Sequence, residues 1–217
     1  MKKTAYILLL GIALMASCTH ASYDTGDGEF SHLRTDYVNI EVKDQLIQSI
    51  TTDEGTTLSI TPDIKVITNP KDTTLRWLLY YNKVNNSDPI EIVSHSNMTL
   101  LKVKDASKTE MKTDPVTVNS VWVAKDHKYL NLNIGLKMGT TESESNLHSV
   151  GMVCTKTEDG IAYYTFYHDQ ADIPQYYTQN VLLTVECPKE KTIDLTINTY
   201  NGTWHKQFTV HSSQLVE

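Results

Sequence analysis

From about residue 36 onward the chain is a succession of short stretches in which Val, Ile, Leu, Thr and Tyr alternate with polar residues, separated by Gly, Asn, Asp and Pro. A period of two with β-branched and aromatic residues predicts antiparallel strands lying half-buried on a core. The clearest case is YLNLNIGLK, Tyr129 to Lys137, where Leu130, Leu132, Ile134 and Leu136 alternate with Asn131, Asn133 and Gly135. One face of that strand is expected to be buried and the other wet. No stretch carries a convincing amphipathic-helix pattern, so the expected fold class is all-β.

The strands fall into two groups. YVNIEV (Tyr37 to Val42), LIQSI (Leu46 to Ile50), TTLSI (Thr56 to Ile60), LRWLLYYNKV (Leu75 to Val84), IEIV (Ile90 to Val93) and MTLLKV (Met98 to Val103) form the first. Asp53-Glu54-Gly55 supplies a turn between two of them. About five or six strands at this spacing make a small barrel over residues 36–108. The polar segment Asp105 to Pro115 ends in a proline and marks a domain boundary. The second group, over residues 112–217, includes VNSVWVA, YLNLNIGLK, VGMVCT, IAYYTFYH, NVLLTVEC, TIDLTINTY and WHKQFTV. Asn201-Gly202 separates the last two, and this dipeptide predicts a tight hairpin with both residues at positive φ. About six or seven strands here suggest two packed sheets.

The start of the chain has a different pattern. Lys2 and Lys3 precede a short apolar run, Ile7 to Met15, followed by the small residues Ala16 and Ser17. Residues 1–17 therefore read as an export signal, too short to be a membrane span of roughly 20 residues. Met15-Ala16-Ser17-Cys18 resembles a bacterial lipobox, which makes Cys18 the expected site of acylation. A palmitoylated Cys18 holds a chain on the outer membrane of the cell envelope without any spanning helix. Residues 18–35 are rich in Gly, Ser, Thr and Asp and read as a flexible tether. Asp24, Asp27 and Glu29 fit a solvated acidic linker, with a surface-sorting signal as the alternative.

Charge narrows the partners. The chain has 19 basic and 26 acidic residues, a net −7 that becomes −9 once Lys2 and Lys3 are removed. Arg34 and Arg76 are its two arginines and the lysines are scattered, which argues against a nucleic acid partner. The expected partners are the membrane, through the lipid, and an unidentified protein or glycan ligand.

DPVTVNSVWVAKDHKYLNLNIGLK (Asp114 to Lys137), YYTFYHDQADIPQYY (Tyr163 to Tyr177), INTYNGTWHKQFTV (Ile197 to Val210) and the DEGTTLSI turn (Asp53 to Ile60) together resemble the NigD-like lipoproteins, a family typical of Bacteroidota. That resemblance implies a lipidated N-terminus, an N-terminal OB-like barrel and a C-terminal β-sandwich. The family is associated with bacteriocin gene clusters, and it carries no catalytic residues over to this chain.

Chemistry is sparse along the sequence. There is no Gly-x-Ser-x-Gly, phosphate-binding glycine loop or His-Glu-x-x-His, so no catalytic residue, cofactor or metal is expected. Trp204, Tyr167, His168, Tyr176 and Tyr177 are the candidate ligand contacts, because aromatic faces beside polar groups suit sugars and peptides. The competing reading makes IAYYTFYH an ordinary strand with Tyr164, Phe166 and His168 on one face and Tyr163, Thr165 and Tyr167 on the other. Trp77 and Trp122 read as core. Cys154 and Cys187 are either a disulfide or two buried thiols. Asp72-Thr73-Thr74 matches a short bacterial O-glycosylation pattern at Thr73. The functional expectation is a non-catalytic binding module of the envelope, with bacteriocin self-protection as the alternative and a glycan or peptide hydrolase as the least favoured.

Overall fold

The computed structural model describes residues 32–83, 89–140 and 148–210. The signal segment, Cys18 and the tether as far as residue 31 lie outside them. Strands dominate: β1 (Leu33–Lys43), β2 (Leu46–Thr52), β3 (Thr57–Leu58), β4 (Thr73–Asn82), β5 (Glu91–Leu101), β6 (Val103–Asp105), β7 (Thr117–Val123), β8 (Tyr129–Met138), β9 (Ser149–Glu158), β10 (Ile161–Asp169), β11 (Tyr177–Glu186), β12 (Thr192–Thr199) and β13 (Gly202–Thr209). They build one sheet ordered β3-β2-β1-β4-β5-β11-β8-β7 and another ordered β13-β12-β10-β9-β6. The fold is all-β, as the alternation predicts.

The first five strands curl into the N-terminal unit. Its free ends meet where the Ile90 amide donates to the Ser59 carbonyl at 2.8 Å, which brings the start of β5 beside β3. The resulting circuit β1-β2-β3-β5-β4-β1 is OB-like, with a closure that rests on little backbone pairing. Val38, Ile40, Val42, Ile47, Ile50, Trp77, Leu79 and Ile90 fill its interior. β1 begins at Leu33, three residues inside the stretch expected to be tether, because Leu33 to Thr35 pair with Asn82 to Tyr80.

The remaining strands form the sandwich. Leu130, Leu132, Ile134 and Leu136 of β8 share its core with Met152, Phe166, Ile193, Leu195 and Ile197 of the opposite sheet. The expected boundary at Asp105 to Pro115 is displaced towards the N-terminus. Thr99 to Leu101 of β5 already pair with Leu183 to Val185, and Val103 to Asp105 pair with Met152 to Cys154. The two strands expected at 90–93 and 98–103 are largely one, β5. Its exposed middle, Ser94 to Asn97, breaks the apolar pattern but stays in register with Leu78 to Tyr80 and Trp77 through the backbone. A polar solvent face interrupts hydrophobic periodicity without interrupting the ladder.

Turn chemistry explains the hairpins. Asp44 and Gln45 both have positive φ between the paired residues Lys43 and Leu46, and Asp159-Gly160 does the same between Glu158 and Ile161. Two consecutive positive φ values give the turn whose twist matches the strands it joins. At Asn201-Gly202 only the glycine is positive, at φ 104°. There the Thr199 hydroxyl accepts from the Asn201 amide and donates to the Gly202 carbonyl, and since Thr199 pairs with Gly202 the two-residue turn falls on Tyr200-Asn201, one position before the expected one.

Candidate functional site

The polar face of β8 is not wet. Asn131 is 0% exposed because the barrel unit covers it with Arg76, itself buried in the middle of β4. The Arg76 guanidinium makes a two-pronged ion pair with Asp53, at 2.7 and 3.0 Å, and a third hydrogen bond to Asn131 Oδ1 at 3.3 Å. Asn131 Nδ2 donates back to Asp53 at 2.8 Å, and the Thr184 hydroxyl donates to Asn131 Oδ1 at 2.9 Å. The guanidinium also sits 4.1 Å from the ring centre of Tyr129, whose hydroxyl donates to Asn39. Beside this cluster the rings of Tyr37 and Trp122 meet across the junction at 5.0 Å, so Trp122 is half-buried between units rather than inside the sandwich core. The two-pronged bond to a carboxylate offsets much of the cost of burying the charge, although Arg76 Nε itself is left without a hydrogen bond. The Asp53-Glu54-Gly55 turn thus holds the two units together. An arginine between Leu75 and Trp77 in an apolar run was the available sequence signal for it.

Next to that turn lies an open groove of about 750 Å³ on the barrel. Arg34, Asp36, Glu54, Thr57, Tyr81 and Lys83 are among the residues that line it. It continues towards the sandwich past Trp122 and Lys125, beside a smaller recess of about 200 Å³. The carboxylates are occupied: Tyr81 donates its hydroxyl to Asp36 at 2.7 Å, and Lys125 pairs with Glu54. Burial, then the bond to Asp36, raises the Tyr81 phenol far above its ordinary range, so that proton stays on tyrosine. The cations are not occupied. Among the described residues neither Arg34 nor Lys83 has an ion pair or side-chain hydrogen bond, although Lys83 is only 8% exposed. None of the groove residues stood out in the sequence, because the cavity gathers them from β1, the β2–β3 turn, β3 and the end of β4.

The residues that did stand out are dispersed. β10 alternates as an ordinary strand, with Tyr164, Phe166 and His168 buried and Tyr163, Thr165 and Tyr167 half-buried. His168 is 0% exposed, which removes it from the ligand contacts. Its Nδ1 lies 3.0 Å from the Asp114 carbonyl and its Nε2 lies 2.9 Å from Nδ1 of His148. A carbonyl only accepts, so in the neutral pair His168 Nδ1–H donates to Asp114 and His148 Nδ1–H donates to His168 Nε2. Burial lowers both imidazoles from their ordinary value. The Tyr167 ring lies under the Lys104 ammonium at 5.0 Å. Tyr176 and Tyr177 are exposed on the other sheet, at 76% and 54%. Trp204 is half-buried against the sandwich core and borders a separate cavity of about 300 Å³ with Tyr200 and Val118. These five residues do not converge on one site.

Cys154 and Cys187 are both free thiols, so the disulfide alternative is not formed. Burial first, then Asp126, pushes the Cys187 thiol up to about 12. Thr73 is half-buried at the first position of β4, paired with Val42. Among the described residues no group of three or more His, Cys, Asp or Glu is arranged to hold a metal, and no helix is long and apolar enough to cross a membrane.

Fold and groove together define an all-β protein in which a small OB-like barrel and a two-sheet sandwich share a strand and a polar clamp. The NigD-like C-terminal beta sandwich domain matches residues 99–211, more than half of the chain, and the chain belongs to the NigD-like family. No curated protein matches it. Among solved structures it is similar to a NigD-like immunity protein from Bacteroides caccae, 22% identical with a TM-score of 0.60, covering 81% of this chain and 91% of that one. A candidate toxin-related protein from Parabacteroides distasonis is 19% identical, with a TM-score of 0.61 and coverage of 83% and 94%. A candidate lipoprotein from Bacteroides fragilis is 13% identical, with a TM-score of 0.57 and coverage of 84% and 99%. At these identities the likeness establishes the shared fold.

Proposed function

We propose that this chain is a lipid-anchored envelope protein that binds a ligand in the barrel groove and catalyses no reaction. The observation that carries the reading is the groove of about 750 Å³, in which the carboxylates are satisfied internally while the cations face open space. A carboxylate held by a tyrosine or a lysine is poorly placed to act as a general base, and a pair of free carboxylates is what a glycosidase needs. The anchor follows from Met15-Ala16-Ser17-Cys18 and is supported by the likeness to a candidate lipoprotein. Growth with labelled palmitate is expected to tag the wild-type chain and recover it with the outer membrane. Label retained on Cys18→Ala would overturn the anchor.

A second reading, self-protection against a bacteriocin, is favoured by the likeness to an immunity protein. Deletion of the gene followed by challenge with bacteriocins of neighbouring strains separates the two. Unchanged sensitivity would remove immunity and leave the binding module.

A further inference from the structure

The groove has a feature that its side chains alone do not reveal: one wall is an unpaired strand edge. β1 is eleven residues long, but β2 accompanies it only from Val38 onward, opposite Thr52. Beyond that the chain turns away at Asp53, whose amide donates to the Tyr37 carbonyl at 2.9 Å. At the other end the Lys83 amide donates to the His32 carbonyl at 3.2 Å. In an antiparallel strand the N–H and C=O of alternate residues point to opposite sides. His32, Arg34 and Asp36 therefore direct their backbone groups to β4, and Leu33, Thr35 and Tyr37 direct theirs to the side that β2 has left. Among the described residues the backbone groups of Leu33 and Thr35 meet no partner there, beside the groove that Arg34, Thr35 and Asp36 line.

Such an edge is a template for another extended chain. The charges say which kind. Lys83 is more than nine-tenths buried and Arg34 stands close by, and among the described residues neither meets an acid; the two acids of the groove, Asp36 and Glu54, are already held by Tyr81 and Lys125. Cations at a groove wall with no acid beside them among the described residues favour an anionic ligand. We infer that the groove binds an acidic peptide segment in extended conformation, which adds as a strand along Leu33 to Asp36 and sets a carboxylate against Lys83 and Arg34. The inference rests on the reading of the groove as the ligand site. The edge has room for about four residues at ~3.3 Å each.

The test uses the full chain in detergent and fluorescently labelled peptides about eight residues long, read by anisotropy. One peptide alternates Glu with Thr and Val, one replaces Glu by Lys, and one keeps Glu but carries Pro at every second position. The acidic strand-former is expected to bind, and the Lys and Pro peptides to bind at least tenfold more weakly, since Pro cannot supply the ladder donors. Lys83→Met and Arg34→Gln are each expected to weaken the acidic peptide about tenfold or more. Lys83→Met is expected to do so with a melting temperature close to that of the wild type, because among the described residues the ammonium makes no ion pair or hydrogen bond that the substitution would break. Equal binding of the Glu and Lys peptides, undiminished binding of the Pro peptide, or full affinity in Lys83→Met would each overturn the inference. Neutral oligosaccharides run in parallel distinguish the two levels. A glycan whose binding is lost in the groove variants overturns the peptide class but keeps the groove, and no binding in either series overturns both.

Discussion

At the residue scale, Arg76 does more for this molecule than any other charged side chain. Its guanidinium is fully buried and its bonds reach Asp53 and Asn131 from a position next to Trp77. Isolated surface ion pairs such as Lys156–Glu158 contribute little, because water screens them and ordering two long side chains costs entropy. The Arg76 cluster differs because loss of the guanidinium removes the cation from the Asp53 carboxylate and leaves it with only the Asn131 amide. Arg76→Ala is therefore expected to destabilise the protein by roughly 3–5 kcal/mol, the usual cost of leaving a buried charge unpaired. Urea denaturation measures this, and a loss below about 1 kcal/mol would show that water replaces the guanidinium. Arg76 was visible in the sequence as an anomaly, a charge in an apolar strand. Its partner Asp53 was visible only as a turn residue, since nothing local distinguishes a turn aspartate that faces solvent from one that faces an arginine.

At the scale of elements, the His148–His168 contact joins the start of β9 to the end of β10, where Ser149 pairs with Asp169. Both imidazoles titrate below their ordinary 6.5, owing first to burial, while backbone carbonyls and Asp169 pull modestly the other way. The unfolded chain then takes up protons before the folded one as pH falls. Stability from this pair is fully present above 6.5 and is lost as pH falls through that value towards the depressed folded ones. Urea midpoints are expected to fall between pH 7.5 and 5.5, and His148→Gln is expected to flatten that fall. Midpoints insensitive to pH in the wild type would rule the effect out. Hairpins show how legibility varies between elements. Asp159-Gly160 and Asn201-Gly202 are both turn dipeptides, yet only the first has two positive φ values, because the Thr199 hydroxyl captures the second turn in another form. β5 escaped the alternation because solvent faces its middle, and its pairing is carried by backbone groups that every residue has.

At the scale of the whole molecule, β5 belongs to both units: its first part pairs with β4 and its last three residues pair with β11. The Arg76–Asp53–Asn131 cluster closes the same junction from the side. Barrel and sandwich are therefore expected to unfold in a single calorimetric transition with equal calorimetric and van't Hoff enthalpies. Two resolved transitions would mean that the shared strand can be peeled from one unit while the other stands. The same junction positions the groove, since the Asp53 turn that reaches Arg76 is also the point where β2 leaves β1 and exposes its edge.

The sequence by itself determined the all-β class and the faces of β10, because alternation and turn chemistry are read within a few neighbouring residues. Tertiary structure alone decided that Asn131 is buried, that His168 is closed to ligands, that Cys154 and Cys187 are not bridged and that Lys83 meets no acid among the described residues. Each of these depends on which distant strand arrives beside it. Asp53 and Asn131 meet across 78 positions, and no local pattern records a meeting of that range.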